Sequence, residues 1–373
     1  MSFQLTELDV RLHETRFRFA YSHALAEREC GTSVLVRAKT DTGAVGFGET
    51  LVRSYLTGET LASVQEDIAA WWPDVRTCVF HAPECVLEEL RPYWKRADAA
   101  RKTAAWAGLE LAVIDAVTRA MGVPAWRVLA DAPQCSRIDY VAPLGFRGMR
   151  KTRWAARLLR WLGFRDFKLK TGWPDDRDRL RAVRAIIGRN ADLHVDANTG
   201  WTPECAFDIA CVLHECGVSA VEQPFPAGAE SEMADFQRKT GLAVMADESL
   251  CTTTDARRLI ALGACRLLNL RLAKCGGFSG CKAILDMARA AGIACQLGAL
   301  VGETSVLTAA GRHFIIGCGP LAHHEQSFPR IFLKSDPARG ARSPWGGGAV
   351  CGVPSEAGLG VRVRFGTGWE PVS

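Results

Sequence analysis

From residue 138 to residue 324 the chain repeats one pattern: a short apolar run, then a stretch with helical spacing. Residues 138–145 (IDYVAPLG) and 163–172 (GFRDFKLKTG) read as strands. Val195, Ala220 with Val221, Val244 to Ala246 and Leu267 to Leu272 mark four more, and residues 292–300 and 321–324 complete eight. Helical periodicity fills 149–162, 203–216, 230–240, 253–262, 279–291 and 304–316. With a helix expected between each apolar run and the next, these six and the remaining linkers give seven or eight helices. Eight strands alternating with them predict an α/β fold of the (β/α)8 TIM-barrel type. An open doubly wound sheet is the alternative. It is disfavoured because the polar residues that end the strands must converge on one place, which a closed barrel achieves.

The first part of the chain has another rhythm. Residues 3–12 alternate like a strand, and 33–39 with 44–50 flank Asp41-Thr42-Gly43 as a hairpin. A polar, aromatic segment, 13–30, and a second loop, 53–60, lie between the regular elements. Helices are predicted over 60–72, 82–94 and 103–121. The last is Ala-rich and nearly all apolar, so it should be buried on most sides until Gly122-Val123-Pro124 ends it. The expected division is an α+β domain over 1–125, a barrel over 126–335, and a Gly- and Pro-rich tail over 336–373. The tail's strand at 358–364 is expected to pack back on the first domain.

Composition narrows the function classes. The 373 residues are 48% hydrophobic and 23% charged, as in ordinary globular proteins. The net charge of +5 is spread along the chain, which argues against a nucleic-acid partner. No stretch approaches the ~20 apolar residues of a membrane span. The start, MSFQLTELDV, lacks the basic and apolar regions of a signal peptide. Fourteen cysteines are scattered with no CxxC pair. Most are expected to be small buried hydrophobes in a reducing cytoplasm.

The candidate chemistry sits at the ends of the apolar runs. Lys168 and Lys170 lie two apart on one strand and point the same way. After Lys170 the next candidates are Asp196, Glu222, Asp247 and Lys274, each one strand and one helix beyond the last at a nearly constant interval. Neighbouring barrel strands are ~4.8 Å apart, so the three carboxylates can meet. They repel one another unless a cation intervenes, and a hard divalent ion such as Mg²⁺ suits oxygen donors. Lysines precede and follow the carboxylates, placing ammonium groups on opposite sides of a bound substrate. The set suits removal of a proton α to a carboxylate, a step that needs positive charge on the developing enediolate and a base of lowered pKa.

Taken together, FKLKTG (167–172), DANTGW (196–201), EQP (222–224), ADES (246–249), LNLRLAKCGG (268–277) and GLGV (358–361) resemble the enolase superfamily, in its muconate-lactonizing-enzyme subgroup. The resemblance runs along nearly the whole chain. It implies a modified (β/α)7β barrel under an N-terminal α+β capping domain. It implies Mg²⁺, or Mn²⁺ in its place, on Asp196, Glu222 and Asp247, with acid/base roles for Lys170 and Lys274. Lys168 would assist Lys170, and Asn198 and Glu248 would support the site. The segments 13–30 and 53–60 would close over the substrate, with Tyr21, Arg53 and Tyr55 as contacts. Many dipeptide epimerases of the subgroup carry Asp-x-Asp at the eighth strand. Here the region reads AHHEQS (322–327), leaving Glu325 as the group able to hold a cation.

The expectation is therefore a cytoplasmic, Mg²⁺-dependent enzyme acting on a small carboxylate, as a cycloisomerase or as a racemase or epimerase. A syn-dehydratase of the succinylbenzoate type and a degenerate barrel that only binds are the competing readings. No nucleic-acid or membrane partner is expected, and a homo-oligomer is left open.

Overall fold

A computed structural model describes residues 2–23, 26–339, 350–364 and 368–372, with the side chains of 19–28 outside that set. Eight parallel strands form one sheet: Ala142–Leu144, Asp166–Lys170, Asp192–Asp196, Ala220–Glu222, Ala243–Ala246, Leu267–Leu270, Ala294–Leu297 and His323–His324. The first and eighth come together where Val141 N–H donates to His324 O at 2.9 Å. The sheet thus curls into the barrel that the alternating pattern predicts. Helices join successive strands, from Met149–Trp161 to Ser305–Cys318.

The expected first barrel strand is shorter than its apolar run. Arg137–Asp139 leaves the barrel to pair antiparallel with Val350–Gly352, and only Ala142–Leu144 enters the sheet. The segment 13–30 also differs from the expected loop. It continues two long antiparallel strands, Phe3–His23 and Ala26–Thr40. The reason is its period of two: Thr15 and Phe17 are buried, whereas Glu14, Arg16 and Arg18 are exposed. The barrel side holds it in place, because Lys334 N–H donates to Arg16 O and Arg18 Nε donates to Leu333 O. Val45–Leu51, Val79–Phe80 and Glu370–Pro371 complete this five-stranded sheet.

The helix Thr103–Ala120 lies against that sheet and is buried nearly throughout. Gly46 and Gly48 permit the close approach. A Cβ on either would fall 2.0 Å from Ala116 N or 2.1 Å from Gly108 O. The sequence offers no capping side chain at the helix start. Instead Glu59, from a preceding loop, accepts the N–H groups of Ala104 and Ala105. An anion at a helix N-terminus is favoured by the unpaired N–H groups there.

The same device docks this layer onto the barrel. Glu110, fully buried, accepts Phe278 N–H at 2.6 Å and Ser279 N–H at the start of the helix after the sixth strand. Glu49 accepts Thr304 N–H, Thr304 Oγ1 and Leu307 N–H at the start of the helix after the seventh. Asp115 accepts Phe47 N–H and Leu359 N–H, tying in the tail. Three buried carboxylates thus join sequence-distant pieces. No helix among the described residues is long and apolar enough to cross a membrane.

Burial pushes the carboxyl groups of Glu49 and Glu110 up to about 7 from an ordinary 4.5. A folded-state pKa above the unfolded one means stability is greatest below about pH 4.5 and falls as pH rises through about 7. Each group accounts for up to about 3 kcal/mol of that fall. Urea unfolding at about pH 5 and about pH 8 should therefore show a shallower loss in Glu110→Gln than in the wild type. An equal loss would mean that Glu110 titrates normally.

Candidate active site

The barrel register puts the strand ends side by side. Lys170 pairs with Asp196, and Asp196 with Glu222. Alternate residues of a strand share a face, so Lys168 and Lys170 point into the barrel together. Asp196, Glu222, Asp247 and Lys274 are each no more than 2% exposed, and Lys168 and Lys170 are also buried.

Two cations stand between the three carboxylates. Lys168 Nζ lies 3.1 Å from Asp196 Oδ2, 2.8 Å from Glu222 Oε2 and 2.8 Å from Glu325 Oε1. Arg271 lies 3.4 Å from Glu222 Oε1 and pairs closely with Asp247. Asn269 Nδ2 donates to Glu222 Oε1 at 2.9 Å. Burial opposes the charge on Lys168, but Asp196, Glu222 and Glu325 outweigh it and hold the ammonium well above its ordinary range. Burial and the neighbouring Asp196 anion push Glu222 up to about 8. Glu248 rises to about 7 through burial and Asp247.

The two outer lysines are held separately. Lys170 donates to Asn198 Oδ1 at 2.6 Å and lies 3.7 Å from Asp196 Oδ2. Lys274 donates to Asp247 Oδ1 at 2.7 Å and to Asn269 O at 3.3 Å. Buried Arg179 donates to Lys170 O and so fixes that strand end, while its guanidinium stacks 4.6 Å from the Trp173 ring.

The backbone just past the carboxylates is in the left-handed region without glycine. Asn198 has φ 44°, Thr199 63° and Gln223 34°. Such conformations cost ~1–3 kcal/mol each and persist only where the surroundings impose them. For Gln223 the surroundings are visible. Its amide oxygen accepts Asp247 N–H at 2.8 Å and Ser249 N–H at 3.2 Å, and its nitrogen donates to Ser249 Oγ and Phe225 O. Gln223 thereby fixes the backbone that carries Asp247.

The remaining sequence-derived candidates divide. Glu325 reaches the cluster, with Oε1 on Lys168 and Oε2 accepting Ala299 N–H at 3.2 Å. Arg53 is buried and donates to the backbone oxygens of Val52 and Val301. Tyr55 is 60% exposed. The Tyr21 side chain lies outside the described residues. Sequence reasoning missed Arg271 and Gln223, although both stand inside the matching motifs. Arg271 stands just past the end of the sixth strand, Leu267–Leu270, where nothing local distinguishes it from a solvated arginine.

The donor atoms, all carboxylate oxygens, are of the kind a hard divalent cation takes. Three buried carboxylates come from adjacent strand ends. Glu222 Oε2 lacks a hydrogen bond despite its proximity to Lys168, and Glu248 Oε2 also lacks one. Among the described residues, the acidic and histidine groups whose donor atoms lie within one ion's reach involve His194 and do not unite these three carboxylates. Lys168 and Arg271 occupy the positions between them.

A family model described as "Enolase C-terminal domain-like" matches residues 151–366. Muconate cycloisomerase 1 of Rhodococcus opacus is 30% identical, over 84% of this chain and 83% of its own. L-Ala-D/L-Glu epimerase of Bacillus subtilis is 27% identical, over 88% of each. The crystal structure of a dipeptide epimerase from Methylococcus capsulatus, complexed with Mg and the dipeptide L-Arg-D-Lys, superposes with a TM-score of 0.84. It is 25% identical and covers 97% of this chain and 100% of that one.

Replacing Lys168 by Met should leave Asp196, Glu222 and Glu325 without their shared cation. Breaking a buried ion pair costs about 3–5 kcal/mol. Chemical denaturation should show a loss of that size, and a smaller one for Lys170→Met. Equal losses would place the balancing charge elsewhere.

Proposed function

Because the chain belongs to the enolase superfamily, whose matched relatives here are isomerases, we propose that it interconverts stereoisomers at a carbon α to a carboxylate. The observation that carries the reading is the placement of two buried lysines. Lys170 ends the second barrel strand and Lys274 follows the sixth, on opposite sides of the carboxylate row. A racemase or epimerase needs this arrangement: one lysine removes the α-proton while the other delivers a proton to the opposite face. Asn198 and Asp247 aim the two ammonium groups.

Asp196, Glu222 and Asp247 would hold a divalent cation, Mg²⁺ by the character of the donors. Such an ion supplies positive charge for the oxygens on which the carbanion's charge accumulates, and it lowers the pKa of nearby lysines. Lys168 and Arg271 add fixed positive charge on the same side. Gln223 and Arg179 keep the strand ends in place, and the buried setting strengthens each of these interactions.

We infer the substrate class from Glu325. Its Oε1 already faces Lys168 and its Oε2 accepts Ala299 N–H, so a substrate ammonium would compete with Lys168 for it. That favours a neutral amide beside the α-carbon, as in an N-acylamino acid, over a dipeptide with a free amino group near the eighth strand. The same occupied Glu325 suits a second reading, cycloisomerisation of a substrate with no ammonium group.

The two readings separate in D₂O. N-acylamino acids, dipeptides and muconates should be screened by mass and NMR for α-proton exchange, and the best substrate carried to Lys170→Ala and Lys274→Ala. For an inversion, each variant loses net racemisation but keeps exchange on the stereoisomer that its remaining lysine faces. For a one-base cycloisomerisation, one variant loses all exchange and the other loses rate without selectivity. Wild-type exchange in both variants would remove the lysines from the mechanism.

A further inference from the structure

Below the carboxylate row the barrel interior remains polar. Register places three inward layers on the second and third strands: Lys170 beside Asp196, Lys168 beside His194, and Asp166 beside Asp192 at the strands' starting ends. The eighth strand adds His323. TIM-barrel interiors are usually filled by branched apolar side chains, so an acid and histidine group at this depth needs a reason.

Its donor atoms lie close enough together to share one ion. His323 Nδ1 lies 2.7 Å from Asp166 Oδ2, and His194 Nδ1 lies 3.4 Å from Asp166 Oδ1. The two imidazole rings are 4.5 Å apart, centroid to centroid. One donor atom from each of Asp166, Asp192, His194 and His323 falls within 4.8 Å of all the others. His194 is 0% exposed, and neither of its ring nitrogens has a hydrogen-bond partner. Asp166 Oδ1 also has none. A buried imidazole with both nitrogens unsatisfied loses the hydrogen bonds it would make in water, and a metal ion restores one of them.

We infer that Asp166, His194, His323 and Asp192 form a second divalent-metal site, at the end of the barrel opposite the carboxylate row, selective for a borderline ion of the zinc class. Two imidazole nitrogens and carboxylate oxygens suit Zn²⁺ and not Mg²⁺, which prefers oxygen alone. Tetrahedral Zn²⁺ with bonds of ~2.0–2.2 Å sets its ligands roughly 3.3 Å apart.

The position gives the ion a structural task. It would join the second and third strands to the eighth across the seam that Val141 and His324 close with their backbones. The eighth strand is two residues long, and Glu325 follows it directly into the upper cluster. A staple at His323 therefore fixes the strand end that carries Glu325.

The test uses tag-free protein stripped with chelator, saturated with Mg²⁺, and titrated with Zn²⁺ against a chromogenic chelator. The wild type should retain one Zn²⁺ per chain that excess Mg²⁺ does not displace, and its Tm should rise with Zn²⁺. His323→Gln and Asp192→Asn should each weaken retention about tenfold or more. Co²⁺ in place of Zn²⁺ should give a visible ligand-field band in the wild type that His323→Gln lacks. Asp192 is exposed at a strand start, so its variant decides the matter if His323→Gln does not fold. No retained Zn²⁺, or equal retention in the wild type and the folded variants, would overturn the site. The group would then be held by the His323–Asp166 hydrogen bond and by packing alone.

Discussion

Burying several carboxylates at one end of a barrel is unfavourable unless opposite charge is built in beside them. Parallel strands ~4.8 Å apart force their end residues together, and here three consecutive strand ends present Asp196, Glu222 and Asp247. Lys168 bridges the first two and Glu325, and Arg271 bridges Glu222 and Asp247. The compensation is incomplete at Glu222, which burial and Asp196 push up to about 8. A cluster balanced so narrowly responds to any added cation. On the proposed function, metal-assisted proton abstraction would draw on that responsiveness.

Holding such a cluster requires rigid surroundings. The positive φ angles at Asn198 and Gln223 show the backbone constrained where the chain turns away from Asp196 and Glu222. Gln223 fixes the loop of Asp247, and Arg179 fixes the end of the lysine strand. Farther out, Glu49 and Glu110 cap the helices that follow the seventh and sixth strands. The layer formed by the first part of the chain is thereby joined to the barrel by directional bonds as well as by apolar contact.

Much of the barrel was legible in the chain because its period is local. Each apolar run is short, each ends in a charged residue, and the interval from one to the next is nearly constant. What escaped was decided by long-range contact. The segment 13–30 alternates as a strand, but its loop-like composition obscured this, and its anchors, Leu333 and Lys334, lie near the other end of the chain. Arg271 stands in a matching motif with nothing local to separate it from a solvated surface arginine. Only the closed barrel turns it toward Asp247 and Glu222. The buried pair of His194 and His323 comes from the third and eighth strands, far apart in sequence, and meets only across the seam.

The central claim is that Asp196, Glu222 and Asp247 act together on one hard cation. Calorimetric titration of Mg²⁺ into the wild type and into Glu222→Gln tests it most directly, with circular dichroism confirming that the variant is folded. The wild type should bind one Mg²⁺ per chain, and the folded variant, which keeps the side-chain shape but loses one charge, should bind it far more weakly. Equal affinity and stoichiometry in the two proteins would contradict the claim.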